Sequence, residues 1–263
     1  MADRKHPARR ERLDVLTVER GLTASREQAR RLIMAGAVVV NDQRVDKPAT
    51  LVDSAAQVRI KDHARPRYVS RGGLKLEAAL RAFSLDVAGR IALDVGASTG
   101  GFTDCLLQHG ATRVFAVDVG YGQLAWSLRQ DPRVVNIERQ NIRTLAGLSA
   151  RPSLSVIDVS FISLTTVIPA VLRLLAPAGH GIALIKPQFE VGRGRVGKGG
   201  IVRDPALHRE VVSRLQAQAA DWGLTSRGVI ESPLRGAKGN TEFLWYWQKG
   251  ISACSPPGTC DAR

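Results

Sequence analysis

The residues best suited to chemistry begin at Leu93-Asp94-Val95-Gly96-Ala97-Ser98-Thr99-Gly100-Gly101-Phe102. An apolar run ends in Asp-x-Gly, and a glycine turn then opens onto a helical pattern. Glycine lets backbone approach a ligand closely, and a helix N-terminus offers unpaired N–H groups. Ala97 and Ser98 break the dinucleotide spacing G-x-G-x-x-G, and no Gly-Lys-Ser/Thr follows, which excludes a triphosphate P-loop. Asp118 ends the next strand pattern, Val117-Asp118-Val119-Gly120, where an acid can hold both hydroxyls of a ribose. With no pyrophosphate to cradle, a nucleoside bearing an amino-acid tail fits best. S-adenosylmethionine is therefore the expected cofactor, its amino-acid part near Asp94 and the glycine loop. The competing reading is a structural strand–helix turn whose glycines serve packing alone.

A second set of ionisable residues falls at the ends of apolar runs. Asp158 closes Ser155-Val156-Ile157, and Lys186 closes Ile182-Ala183-Leu184-Ile185. Glu242 opens the last run, Glu242-Phe243-Leu244, and Lys75 lies on a helical segment before the first strand. A lysine beside an apolar strand is costly unless paired or functional. Near a carboxylate and a bound sulfonium, such an ammonium can titrate lower and act as a base on a hydroxyl. The competing reading of each is a salt-bridged surface residue.

These side chains need a scaffold. From about residue 68, short apolar runs alternate with amphipathic stretches: strands at 91–95, 113–118, 133–136, 154–158 and 181–186, helices at 100–109, 122–130, 163–175 and 204–221. Strand–helix alternation predicts an α/β fold with a mostly parallel sheet, and ligands in such sheets lie at the C-terminal strand ends. Two further strands, near 226–231 and 241–248, have no helix between them and predict an antiparallel edge hairpin. Residues 11–60 read as a small α+β module. Leu13, Leu16 and Val18 mark a short helix. Ser25-Arg26-Glu27-Gln28 is a capping box whose helix stops at Gly36. Val38-Val39-Val40, the turn Asn41-Asp42, Val45 and the pair Val58 and Ile60 suggest three strands. Residues 61–67 read as a linker, and 1–10 and 251–263 as disordered tails.

Composition narrows the partners. The 263 residues include 38 Lys and Arg against 24 Asp and Glu, a net charge of +14. Residues 1–67 alone hold fifteen basic and nine acidic residues. A balance this basic favours nucleic acid first and a membrane surface second. With 44% hydrophobic residues the chain is globular, yet no apolar stretch suffices for a membrane span and the charged N-terminus is no signal peptide. Three scattered cysteines, with no CxxC pair, argue for a reducing, cytoplasmic setting and against a metal site. The five histidines show no ligand spacing, so surface placement is the default, and the four tryptophans read as packing residues. Between Lys186 and Arg203, five basic residues face Glu190 alone in a glycine-rich stretch. Arg193, Arg195 and Lys198 are expected to contact phosphates as this loop closes over a target nucleotide. A flexible solvated loop is the alternative.

Tyr68-Val69-Ser70-Arg71-Gly72-Gly73-Leu74-Lys75-Leu76, the glycine loop, Asp158-Val159-Ser160-Phe161-Ile162-Ser163 and Lys186-Pro187-Gln188-Phe189-Glu190 closely resemble the TlyA family. These are ribosomal RNA 2′-O-ribose methyltransferases, also labelled hemolysin A. The resemblance covers roughly residues 10–250 and is specific in combination. It implies an S4-type RNA-binding domain followed by an FtsJ/RrmJ-like, Rossmann-like class I methyltransferase domain. By motif, the family's Lys-Asp-Lys-Glu tetrad corresponds to Lys75, Asp158, Lys186 and Glu242. Its cofactor contacts correspond to Asp94, Gly96, Ser98, Gly100, Phe102 and Asp118, with Asn141 near the adenine. RNA contacts are expected from Arg12, Arg26, Arg30 and Arg31 in the S4-like module and from Arg71. The implied partner is ribosomal RNA within ribosomal subunits, methylated at cytidine in one or both subunits, with no metal and no membrane. Two alternatives stand beside it: a membrane-active hemolysin, and a non-catalytic RNA-binding assembly factor. Monomer or dimer is left open.

Overall fold

A computed structural model of the protein describes residues 9–61, 66–192 and 194–250. Expectations for the outermost tails, most of the linker, Arg193, His6, His63, Cys254 and Cys260 fall outside these residues. The chain divides into two compact units, Met1–Val69 and Ser70–Arg263.

The N-terminal unit runs β1 (Arg10–Arg12), α1 (Leu13–Glu19), α2 (Arg26–Met34), β2 (Val38–Val40), β3 (Gln43–Arg44), β4 (Leu51–Asp53) and β5 (Val58–Ile60). Ser25 Oγ accepts the Gln28 N–H at the start of α2, and Gln28 Oε1 accepts the Ala24 N–H. This is a capping box that reaches one residue further back than the usual form. The helix closes with a Schellman motif: Gly36 has φ +68°, its N–H donates to the Ile33 carbonyl, and the Ala37 N–H donates to that of Leu32. Asn41 and Asp42 both have positive φ, as a tight hairpin between β2 and β3 requires. β2 lies between β3 and β5. β1 and β4 pair separately, a ladder that the polar triplet Arg-Glu-Arg does not announce. Leu13, Ile33, Val38, Val58 and Ile60 fill the core, each such aliphatic side chain contributing about 1.5–3 kcal/mol.

The second unit runs α3 (Gly72–Ala82), β6 (Ile91–Val95), α4 (Gly101–Gln108), β7 (Arg113–Val117), α5 (Trp126–Arg129), β8 (Val134–Ile137), β9 (Leu154–Ile157), α6 (Leu164–Leu174), β10 (His180–Ile185), α7 (Pro187–Glu190), α8 (Pro205–Gln218), β11 (Leu224–Glu231) and β12 (Phe243–Lys249). Its sheet has the order β11-β12-β10-β9-β6-β7-β8, and β12 runs antiparallel to both neighbours. The hairpin is present, but its second strand inserts between β10 and β11. Apolarity explains the order. β12 carries Leu244, Trp245 and Trp247, all fully buried, so it needs cover on both faces, whereas β11 keeps exposed positions along its length. Gly181 on β10 pairs with Trp247, whose indole fills the space a Cβ would take.

Three expectations shift. The helix predicted over 122–130 shrinks to Trp126–Arg129, with Gly122 at φ +71° in the loop that precedes it. Trp126 is 72% exposed rather than packed. His208 is buried, its Nε2 lying 2.9 Å from the Val202 carbonyl oxygen, rather than on the surface.

Candidate active site

Strand register assembles the site. Val95 pairs with Val117 on one side and Ile157 on the other, Ala183 pairs with Ile157, and Ile185 pairs with Phe243. The residues just beyond these strand ends therefore form one rim: Asp118, Gly96, Asp158, Lys186 and Glu242, in that order. At about 4.8 Å per strand, the row spans roughly 20 Å.

The glycine loop occupies one end of the row. Gly96 has φ +84°, and a Cβ there would strike the Asp158 carbonyl. Gly100, at φ +96°, caps α4 where a Cβ would meet Leu124 and Leu128. Ser98 takes the same left-handed region, and its N–H donates to Asp118 Oδ2 (2.8 Å). The Gly120 N–H donates to Asp118 Oδ1 (2.7 Å), so two loops hold this carboxylate and leave lone pairs for further donors. Asn141 heads a short 3₁₀ turn next to Asp118, since the neighbouring Gln140 N–H donates to the Asp118 carbonyl. The Phe102 side chain is buried, so a ligand in the loop would meet its backbone and not its ring.

Asp94 sits behind the loop, fully buried. Thr103 donates to its Oδ2 (2.7 Å), and Oδ1 has no hydrogen-bond partner among the described residues. Burial pushes its carboxyl up to about 7, the Thr103 hydrogen bond opposes this, and the charges of Asp158 and Asp118 add to it. The predicted cofactor fits this region on three observations. The backbone is bare at Gly96, the N-terminus of α4 opens into the loop, and an acceptor-rich carboxylate stands one strand away.

The four tetrad positions meet as two ion pairs. Lys186 Nζ lies 2.6 Å from Asp158 Oδ1 and donates to Ser160 Oγ (2.9 Å). Lys75, brought in by α3, donates to Glu242 Oε2 (2.5 Å), with Glu242 only 3% exposed. Gly236 makes room for that carboxylate, which a Cβ would overlap. Apolar walls and paired ammonium groups at the strand ends suit the chemistry of activating and holding a hydroxyl.

Several supporting residues carried no sequence signal beyond their place in a motif. Ser160 fixes Lys186. Glu190 accepts from Ser163 Oγ (2.7 Å) and from the Leu164 N–H (2.8 Å), so the segment after β10 caps α6 after β9. Its burial raises its pKa, against those hydrogen bonds and the charge of Arg214. Phe161 is 90% exposed and lies 5.0 Å, centroid to centroid, from Phe189. The two motifs thus interlock at three levels.

The basic residues divide. Arg12 donates twice to Asp14, and Arg26 donates once to the same buried carboxylate (3.0 Å). Arg12, first of all, holds the Asp14 carboxyl below its usual range. Both arginines therefore help anchor the fold. Arg30, Arg31, Arg71 and Lys198 are exposed. Arg195 makes a bidentate, half-exposed pair with Glu210 on α8 (2.5 Å each). The C-terminal end of the glycine-rich stretch is pinned. Asn240 Oδ1 accepts the Val202 N–H, and Asn240 Nδ2 donates to the Gly200 carbonyl. Among the described residues, no cluster of three or more His, Cys, Asp or Glu could hold a metal, and no helix is long and apolar enough to cross a membrane.

A Rossmann-like sheet with a glycine loop at one strand end and paired lysines and carboxylates beside it defines a class I methyltransferase fold. Residues 68–249 match the FtsJ-like methyltransferase family, and residues 11–58 match the S4 domain. The Mycobacterium tuberculosis protein named 16S/23S rRNA (cytidine-2′-O)-methyltransferase TlyA is 49% identical over 97% of this chain and 96% of its own. Hemolysin A of Brachyspira hyodysenteriae is 43% identical over 90% of this chain and 99% of its own. A solved structure from Streptococcus thermophilus, carrying a provisional hemolysin label, superposes with a TM-score of 0.70. It shares 47% identity over 93% of this chain and 90% of its own. The chain belongs to the FtsJ-like methyltransferase family, in the S4-bearing TlyA group.

Proposed function

We propose that the protein transfers a methyl group from S-adenosylmethionine to the 2′-hydroxyl of a cytidine in ribosomal RNA, within ribosomal subunits in the cytoplasm. The observation that carries this is the paired tetrad, Lys186 with Asp158 and Lys75 with Glu242, on the same rim as the glycine loop. The cofactor supplies a methyl already activated by its sulfonium. Asp118 would hold the ribose hydroxyls of that cofactor, the backbone of Gly96 to Gly100 its amino-acid part, and Asn141 its adenine.

The protein's own residues then act on the acceptor. Lys186 Nζ, having first given up a proton to solvent, orients the 2′-hydroxyl and takes its proton as the new O–CH3 bond forms and the methyl–sulfur bond breaks, leaving S-adenosylhomocysteine. Asp158 and Ser160 keep Nζ on that line and balance its charge. Lys75 and Glu242 position the ribose. Much of the rate comes from proximity, since orientation alone can supply about 7–11 kcal/mol of a barrier. The S4 unit and the basic surface supply affinity for RNA phosphates. Labelled-methyl transfer to isolated ribosomal subunits, with mass mapping of 2′-O-methyl sites on both large RNAs, tests this reading. Incorporation at a cytidine ribose is the expected result, and cofactor binding without transfer to either subunit would overturn it in favour of a non-catalytic assembly factor.

A further inference from the structure

The rim continues past the tetrad. Phe243, next to Glu242, pairs with Glu231 at the end of β11, the outermost strand. There an open cavity of about 490 Å³ is lined by Arg203, Arg235 and Lys238, with Glu231, His208 and Thr241 completing its wall. Three cations face one carboxylate. That carboxylate is partly engaged by Arg235 at 3.4 Å, a half-exposed pair that solvent screens. The His208 Nε2 is engaged by the Val202 carbonyl at 2.9 Å.

Two features make this a shaped site rather than scattered surface charge. Arg235 donates to the hydroxyl of Thr241, the residue before Glu242, which fixes its guanidinium against the tetrad's supporting segment. Lys238 stands at φ +57°, a conformation that costs about 1–3 kcal/mol for a non-glycine residue. The Asn240 amide clamps this segment to Gly200 and Val202, which joins the chain segments that bring Arg203 and Lys238 to the same cavity.

Position supplies the ligand. The glycine loop and Asp118 lie at the β7 end of the rim, the paired lysines in the middle and the basic cavity at the β11 end. With the cofactor at one end and the acceptor hydroxyl at the centre, an RNA strand must leave the centre on the side away from the cofactor. We infer that the Arg203–Arg235–Lys238 cavity binds a backbone phosphate of the RNA flanking the target nucleotide and so sets the register of the acceptor ribose. This rests on the proposed RNA methylation and adds a phosphate subsite to it. Phosphate contacts of this kind position a nucleic acid without reading its sequence.

The test uses the full chain and the double variant Arg203→Gln/Lys238→Gln. Its control, Arg113→Gln/Arg151→Gln, removes the same charge at the N-terminal ends of β7 and β9, the opposite edge of the sheet. Binding of a labelled ribosomal RNA transcript is measured over a range of salt. The cavity variant should lower the slope of log affinity against log salt by about 0.7–0.9, as loss of one phosphate contact requires, while the control leaves it unchanged. Methyl transfer should show a raised KM for RNA with kcat unchanged. A slope and KM equal to the control's would overturn the inference. So would loss of inorganic phosphate binding with an unchanged RNA slope, which would assign the cavity to a free anion. If the wild-type chain methylates no ribosomal RNA, the functional reading fails, and the salt slope still decides the subsite.

Discussion

Lys75 Nζ and Glu242 Oε2 lie 2.5 Å apart across 167 residues of chain, and both are largely buried. The pair ties α3, before the sheet, to the first residue ahead of its second-last strand position, β12. Removing one partner strands a charge. Lys75→Met should therefore destabilise the fold by about 3–5 kcal/mol. Lys75→Met/Glu242→Leu should recover much of that loss in thermal unfolding while remaining inactive in methyl transfer. Recovery of activity together with stability would show the pair to be structural only.

Lys186→Ala should abolish methyl transfer while leaving cofactor binding intact, measured by calorimetric titration beside a labelled-methyl assay. Ser160→Ala removes one hydrogen bond to the same Nζ, worth about 1 kcal/mol, and should slow kcat by about fivefold. A wild-type rate in Lys186→Ala would remove this residue from the mechanism.

Gly96→Ala places a Cβ against the Asp158 carbonyl at a φ that favours glycine. It should weaken cofactor binding and cost about 1–3 kcal/mol of stability. Gly89, also at positive φ, has nothing within 4 Å of its notional Cβ. Gly89→Ala should therefore lower stability but leave cofactor affinity unchanged.

Asp94 carries a pH signature. Its carboxyl titrates near 7 when folded and near 3.8 when exposed, so between those values the native state holds a proton that the unfolded chain has released. Its contribution is full below pH 3.8 and is lost as pH rises through 7, a difference on the order of 4 kcal/mol. In unfolding titrations from pH 4 to 8, Asp94→Asn should flatten this decline. An unchanged profile would show that Asp94 is ionised in the native protein.

The arginines of the N-terminal unit should separate by role. Arg30→Gln and Arg31→Gln should each lower the salt slope of RNA binding by about one, with no change in Tm. Arg12→Gln and Arg26→Gln should lower Tm, because each leaves the buried Asp14 short of a partner. Equal effects of all four on Tm would deny the distinction.

Much of the fold was legible along the chain because its signals are local. Apolar runs, glycine turns and the Ser25 cap act within a few residues, so the sheet, the S4-like module and the glycine loop could be read directly. The motifs also named the four tetrad positions. What tertiary structure decided was pairing. Nothing in a linear pattern says that Lys186 faces Asp158 and Ser160 while Lys75 crosses to Glu242, because strand order and register create those distances. The same holds for charge. Arg12, Arg26 and Arg195 look like free cations in sequence, and the folded chain commits the first two to Asp14 and the third to Glu210. Arg203, Arg235 and Lys238 look scattered, and the end of β11 gathers them. Residue types set what chemistry is available, but electrostatic energy depends on distance and burial, and only the fold sets those.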